Sequence, residues 1–180
     1  MEQEQFNKIL AGVKKWMKHL LVRYEPRMEP MAEVGPFNLD RYYPADMLRS
    51  VKRVIVDRCP VPPLAATGID QLAEIENWEL KGIPWGNIIF IRRDLENWEA
   101  VHFHEILHAV QWQCLGADRY LTAWAIGTII RGYRDNPLEE MAFRFQSQFE
   151  TEDKSFDVVK EVSGEIEKWP ESYFDIERIH

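Results

Sequence analysis

Phe6, Ile9, Leu10, Val13, Trp16, Met17, Leu20, Leu21 and Tyr24 recur at three- and four-residue intervals. That spacing predicts one amphipathic helix of about 20 residues. Lys14, Lys15 and Lys18 lie off the apolar stripe. A helix packed on the rest of the chain is the ordinary outcome of such a stripe, and a basic-faced helix on a membrane surface is the rival. Pro26, Pro30, Pro36 and Pro44 then forbid a long helix across 25–46 and predict an extended, wrapping segment. Residues 51–57 (VKRVIVD) alternate and are β-branched, which predicts a strand ended by Pro60, Pro62 and Pro63. Residues 69–80 (IDQLAEIENWEL) fit a short helix running into a strand. Residues 86–92 (GNIIFIR) predict a second, stronger strand.

Beyond these strands the pattern turns helical. Asp94 is the expected N-cap of a helix over 95–115 that stops at Gly116. A second helix is expected over 118–130, stopping near Gly132. Asn136-Pro137 reads as N-cap and first residue of a third helix, reaching about residue 150. A fourth is expected over 155–168, closed by Trp169-Pro170. Strands first and helices last predict an α+β class. The chain of 180 residues is read as one domain, with a helix and wrapping segment over 1–46, strands over 51–92 and helices over 95–168.

Composition narrows the function classes. At 46% hydrophobic and 29% charged, the chain is not a disordered one. The formal net charge of -8, without a basic block, argues against nucleic acid as a partner. Cys59 and Cys114 are too few for a disulfide framework or a Cys-rich zinc site. The opening MEQEQF has no apolar signal core. The longest apolar stretch, around 121–130, is about half of a membrane span. A cytoplasmic protein without stable membrane insertion is the expectation.

The chemistry sits in 101–113, VHFHEILHAVQWQ, which contains His104-Glu105-Ile106-Leu107-His108. Residues four apart on a helix are separated by about 40° in azimuth and about 6 Å along the axis, so both imidazoles can reach one metal ion. Glu105 is rotated by about 100°, away from the ligand pair but within reach of a water on that metal. This is the general-base geometry of zinc hydrolases. Chance placement of this composition yields roughly 0.015 such matches per chain. His102 falls on nearly the opposite face and is not expected to be a ligand. His19 and His180 read as incidental.

Catalytic zinc takes a third protein ligand and keeps one open position. An extended motif with a glycine turn and a third histidine would need those residues at Gln111 and Cys114, which do not supply them. Cys114 then reads as a buried apolar residue. A carboxylate from the helix starting at NPLEEMA is the other source. Its apolar residues Leu138, Met141, Ala142, Phe145 and Phe149 define a buried face. Glu139 falls at the border of that face, about 100° from Leu138, and Glu140 at about 200°, towards solvent. Glu139 is therefore the favoured ligand over Glu140. A capping box between Asn136 and Glu139 has the same spacing and is the structural rival. Gln111 falls about 20° from His104 and could hydrogen-bond a ligand or line the cleft. Trp112 reads as a core aromatic, and Glu74, Glu76 and Glu79 as a solvated face.

HEILH followed by a helix bearing NPLEE resembles the zincin superfamily of metallopeptidases in its gluzincin form. The wider pattern GNIIFIR, HEILHAVQWQCLG, YL and GYRDNPLEEMA is similar to that of small bacterial proteins with this signature. The resemblance spans roughly 82–145. It implies a zincin-like fold, with the strand at 87–91 as the substrate-binding edge beside the active-site helix. It implies His104, His108 and Glu139 as zinc ligands and Glu105 as the base. The fuller glutamate-helix motif of larger gluzincins is absent. Tyr133 and Arg134 lie in the stretch where a transition-state donor is sought, and Tyr133 could line the cleft.

The expected function is thus a zinc-dependent hydrolase, a metallopeptidase whose peptide substrate pairs with the edge strand. The alternative is a catalytically inactive metal-binding or interaction module on the same scaffold.

Overall fold

The strand-then-helix pattern folds into a small sheet buried under helices on both faces. The computed structural model describes residues 2–35, 37–67 and 69–178. Pro36 of the wrapping segment and His180 lie outside the described residues. In chain order the elements are α1 (Gln3–Tyr24), β1 (Glu29–Pro30), α2 (Ala45–Ser50), β2 (Lys52–Val56), α3 (Asp70–Ala73), β3 (Gly82–Trp85), β4 (Ile88–Arg92), α4 (Glu99–Arg131), α5 (Pro137–Thr151) and α6 (Val158–Ile166). The architecture is mixed α+β, with a small sheet in the first half and long helices in the second. The segment expected to be simply extended between residues 25 and 46 instead winds through three 3-10 turns, at Glu25–Arg27, Met31–Glu33 and Leu39–Arg41, around the two-residue β1.

Four strands pair in the order β1-β2-β4-β3. β2 and β4 run parallel, whereas β3 returns antiparallel to β4. Gly86, at φ +71°, makes the tight turn from β3 to β4 with Asn87. β4 is therefore an interior strand. This corrects the expectation that 87–91 forms the edge, a role that belongs to β3. β3 was not legible as a strand because Gly-Ile-Pro-Trp lacks β-branched alternation and contains Pro84. The pairing explains that proline. Arg92 N–H donates to the Lys81 carbonyl at 3.0 Å, and the register sets Gly82 against Ile91 and Pro84 against Ile89. Alternation then turns the backbone groups of Gly82 and Pro84 away from β4, where a missing N–H costs the ladder nothing.

Both faces of the sheet are covered, so β4 reads as a continuous apolar run. Ile89 and Ile91 pack with Phe103, Ile106, Leu107 and Val110 of α4, Phe145 of α5 and Val162 of α6. Ile88 and Phe90 face the opposite way, towards Leu20 of α1 and Trp112 of α4. Each such side chain contributes on the order of 2 kcal/mol through burial. The α1 stripe faces the protein: Phe6 and Leu20 are buried, and Trp16 meets Trp85 edge-on at 5.0 Å. Among the described residues no helix is long and apolar enough to cross a membrane.

α4 starts later than Asp94 predicts. Arg92 donates to both Asp94 carboxylate oxygens at 2.6 and 2.8 Å, and Arg93–Leu95 form a 3-10 turn, leaving Trp98 as the N-cap. Gly116 does interrupt the helix: at φ +72° and ψ 165° it is non-helical and divides α4 into arms 99–115 and 117–131. Only glycine adopts that conformation without strain. Gly132, at φ +83°, ends the second arm. Cys114, near the end of the first arm, is exposed and not buried as expected, because that arm passes beyond the core after Trp112.

Candidate metal centre

The first arm of α4 is buried on every side from Ala100 to Trp112, enclosed by the sheet, α5 and α6. Ile106 and Leu107, both fully buried, lock its rotation. His104 and His108 consequently project, one turn apart, into the gap between α4 and α5. Their Nε2 atoms lie 3.0 Å from each other.

Glu139 enters the gap from the first turn of α5. Its position is set by Asn136, which is fully buried. Asn136 Oδ1 accepts from the Leu138 N–H at 3.0 Å and caps the helix. Its Nδ2 donates to the Trp124 carbonyl at 2.9 Å and to Thr128 Oγ1 at 3.0 Å, fastening α5 to the second arm of α4. Gly127 permits this fit, since a Cβ there would stand 2.8 Å from Asn136 Cγ. The Asn136 N–H donates to the Tyr133 carbonyl, so Glu139 is not occupied by a capping box. Glu140 is exposed.

Glu139 Oε2 lies 3.4 Å from Nε2 of both histidines. The three atoms thus form a triangle with edges of 3.0, 3.4 and 3.4 Å. Tetrahedral zinc with bonds of about 2.0–2.1 Å holds neighbouring ligand atoms about 3.3–3.4 Å apart. The triangle matches one face of such a tetrahedron. Buried His104, His108 and Glu139 therefore lie close enough to bind one metal ion.

The hydrogen bonds around the triangle orient its rings. Gln111 Nε2 donates to the Leu138 carbonyl at 3.0 Å, which turns Oε1 to His108 Nδ1 at 2.7 Å. Gln146 Nε2 donates to Glu150, which turns Oε1 to His104 Nδ1 at 3.0 Å. Each Nδ1 is thus a protonated nitrogen, and each Nε2 faces the gap, where it is the atom free to bind a metal once its ring is neutral. A carboxylate oxygen completes the set. With both rings neutral, three acceptors converge with no donor between them, an arrangement that calls for a cation, whether a proton on His108 or a metal ion. Glu139 Oε2 and Glu105 Oε2 are, among the described residues, the buried side-chain oxygens and nitrogens without a hydrogen-bond partner.

The charges are strongly coupled. For His108 burial alone favours the neutral ring, but the Glu139 carboxylate, aided by Glu105, raises it to about 9. For His104 burial wins and lowers it. Burial would raise Glu139, but the two histidines hold its carboxyl well below the usual range. Burial raises Glu105 to about 8, with Glu139 adding and His108 opposing. A carboxyl poised near neutrality can both take and return a proton.

Glu105 rests directly on β3. A Cβ on Gly82 would lie 2.5 Å from its Oε1 and 2.6 Å from its Cγ. Tyr133 is half-buried, and burial together with Glu139 and Glu105 pushes its hydroxyl well above 10. It lines a cleft of about 330 Å³ together with Lys81, Trp98, His104, Glu105 and Arg134. Arg134 is exposed, its guanidinium 5.0 Å above the Phe143 ring, which in turn lies 4.8 Å from the His104 ring.

His102 lies away from the centre, its Nδ1 3.0 Å from the Trp98 carbonyl and its ring 4.6 Å from Phe37. His19 is exposed. Gln146, Gly82, Gly127 and Asn136 in its fastening role were missed in the sequence. Gln146 had a signal, since seven residues after Glu139 it shares nearly the same azimuth on α5. The two glycines had none, because each is explained only by a side chain from another element. Searches of protein-family models, curated proteins and solved structures found no match to this chain.

Proposed function

We propose that this chain is a zinc-dependent hydrolase, a metallopeptidase acting on amide bonds of extended peptides. The observation that carries the reading is the buried triangle of two imidazole Nε2 atoms and a carboxylate oxygen at ligand spacing, with the unpartnered Glu105 Oε2 beside it. His104, His108 and Glu139 would hold the ion, and their donor set suits zinc. A bound divalent cation supplies Lewis acidity, lowering the pKa of water towards about 7 and polarising a carbonyl.

The protein's own groups account for the rest. Glu105 Oε2 takes a proton from the attacking water and returns it to the leaving nitrogen. The β3 edge offers the Gly82 N–H and the Gly82 and Pro84 carbonyls to a substrate strand, next to Glu105. Tyr133, facing both carboxylates, stays protonated and keeps its hydroxyl as a donor.

Glu105→Gln tests this reading. The variant should bind one equivalent of zinc, as the wild type does, and lose cleavage of a mixed peptide library followed by mass spectrometry. Retained cleavage removes Glu105 as the base. The deep burial of all three ligands favours a second reading, a metal that only staples α4 to α5. In that case zinc raises the melting temperature of wild type and Glu105→Gln alike, and neither cleaves any peptide.

A further inference from the structure

The cleft of about 330 Å³ that His104 and Glu105 help to wall carries charge of its own. Lys81 and Arg134 are cations on its walls, and Glu79 is the one acid among the described walls besides Glu105. The chain as a whole is acidic, with a net charge of -8. Yet among the described residues neither Lys81 nor Arg134 forms an ion pair. Each rests on an aromatic ring of the same cleft. Lys81 Nζ lies 4.5 Å from the centre of the Trp98 ring, and the Arg134 guanidinium lies 5.0 Å from that of Phe143. A ring restrains a cation but accepts no ordinary hydrogen bond, so N–H donors are left over on both heads. The Asp94 carboxylate, and behind it Glu79, raise the Arg92 guanidinium, so the charge of Glu79 is shared with a third cation.

A substrate entering the cleft strips water from both cations. A neutral amide does not offset that loss, whereas an anion does, through charge-assisted hydrogen bonds. The cations also stand close to the candidate centre. The Phe143 ring beneath Arg134 is 4.8 Å from the His104 ring, which puts the guanidinium within about 10 Å of that ligand. Lys81 precedes Gly82, against which Glu105 rests. We propose that Lys81 and Arg134 select a substrate bearing a carboxylate near the bond to be cut. An extended chain advances about 3.3–3.6 Å per residue, so that carboxylate lies within about three residues of the reacting carbonyl. A peptide supplies one from its C-terminus or from an acidic side chain. The position relative to the scissile bond rests on the hydrolase reading, whereas the capture of the carboxylate does not.

The test measures binding by isothermal titration to the full chain, zinc-loaded and metal-free. The probes are acetyl-Ala-Ala with a free C-terminus, its C-terminal amide, and the amides of acetyl-Ala-Glu and acetyl-Ala-Gln. At least one acid should bind about tenfold tighter than its matched amide, in both forms of the protein, and added salt should narrow the gap. A gain for the free C-terminus identifies a terminal carboxylate, and a gain for Glu over Gln identifies a side chain. Lys81→Gln combined with Arg134→Gln should cut the preference below about threefold, and Lys81→Arg combined with Arg134→Lys should keep it. Equal binding of acids and amides by the wild type overturns the proposal. An undiminished preference in the glutamine pair overturns it too, since the carboxylate then sits elsewhere, as on the metal. If the preference behaves as stated but no peptide library is cleaved, the cleft assignment stands and the hydrolase reading falls. If a library is cleaved without regard to acidic groups, the hydrolase reading stands and this proposal falls.

Discussion

The placing of Glu139 through Asn136 makes a sharp prediction. Asn136→Ala removes the N-cap of α5, worth about 1 kcal/mol. It also takes a donor from the Trp124 carbonyl and from Thr128 Oγ1. The carbonyl keeps its helical partner, so the added cost falls mainly on the buried hydroxyl and the small void, about 1–3 kcal/mol. The sum of about 2–4 kcal/mol should lower the melting temperature by about 5–15 °C for a chain of this length. Glu139 stands one turn into α5, so zinc affinity should fall at least tenfold, measured by competition with a chromophoric chelator. Asn136→Ser separates the two roles. It keeps a cap oxygen for Leu138 N–H but cannot donate to Trp124, so it should recover about 1 kcal/mol of stability and little of the zinc affinity. Gly127→Ala should act like the alanine variant, because its Cβ would overlap the Asn136 amide. A loss under 1 kcal/mol in Asn136→Ala refutes the fastening. A large loss with unchanged zinc affinity refutes the claim that the fastening positions Glu139.

Three further outcomes are expected. Gly82→Ala should push the Glu105 carboxylate aside by about 1 Å, slowing cleavage roughly 100-fold while zinc stoichiometry stays at one, since misplacing a reacting group by that distance has this scale of effect. Gln111→Leu and Gln146→Leu should each weaken zinc binding about 10–100-fold by releasing one imidazole from its Nδ1 acceptor, as isothermal titration would show. Zinc uptake at pH 7 should release about one proton, because His108 is protonated below about 9 in the metal-free protein and must be neutral to act as a ligand. Affinity should accordingly rise with pH up to about 9, and calorimetry in buffers of different ionisation enthalpy counts the proton directly.

The parts of this protein written in local spacing are legible in its sequence alone. His104 and His108 are one turn apart, Asn136-Pro137 announces a helix start, and the apolar residues of α5 leave Glu139 at the border of its buried face. Gly116 and Gly132 stop helices where expected because their positive φ is a local property. What failed was whatever depends on a distant partner. β3 becomes a strand by pairing with β4. Asp94 is withdrawn from capping by Arg92. Gly82 and Gly127 gain their meaning from Glu105 and Asn136, which arrive from other elements.

The corner at Gly116 governs more than the path of α4. The imidazoles ride on one arm, while the carboxylate is moored to the other through Asn136. From Gly116 to Thr128 is about 18 Å of helix, so a change of only three degrees at the corner carries the mooring about 1 Å. That displacement exceeds the difference in bond length between zinc and calcium, about 0.3–0.4 Å. For an ion held by this triangle the bend would act as a caliper, its angle setting the gauge of the site, and substitutions at Gly116, remote from the triangle, would then be expected to change which ion fits.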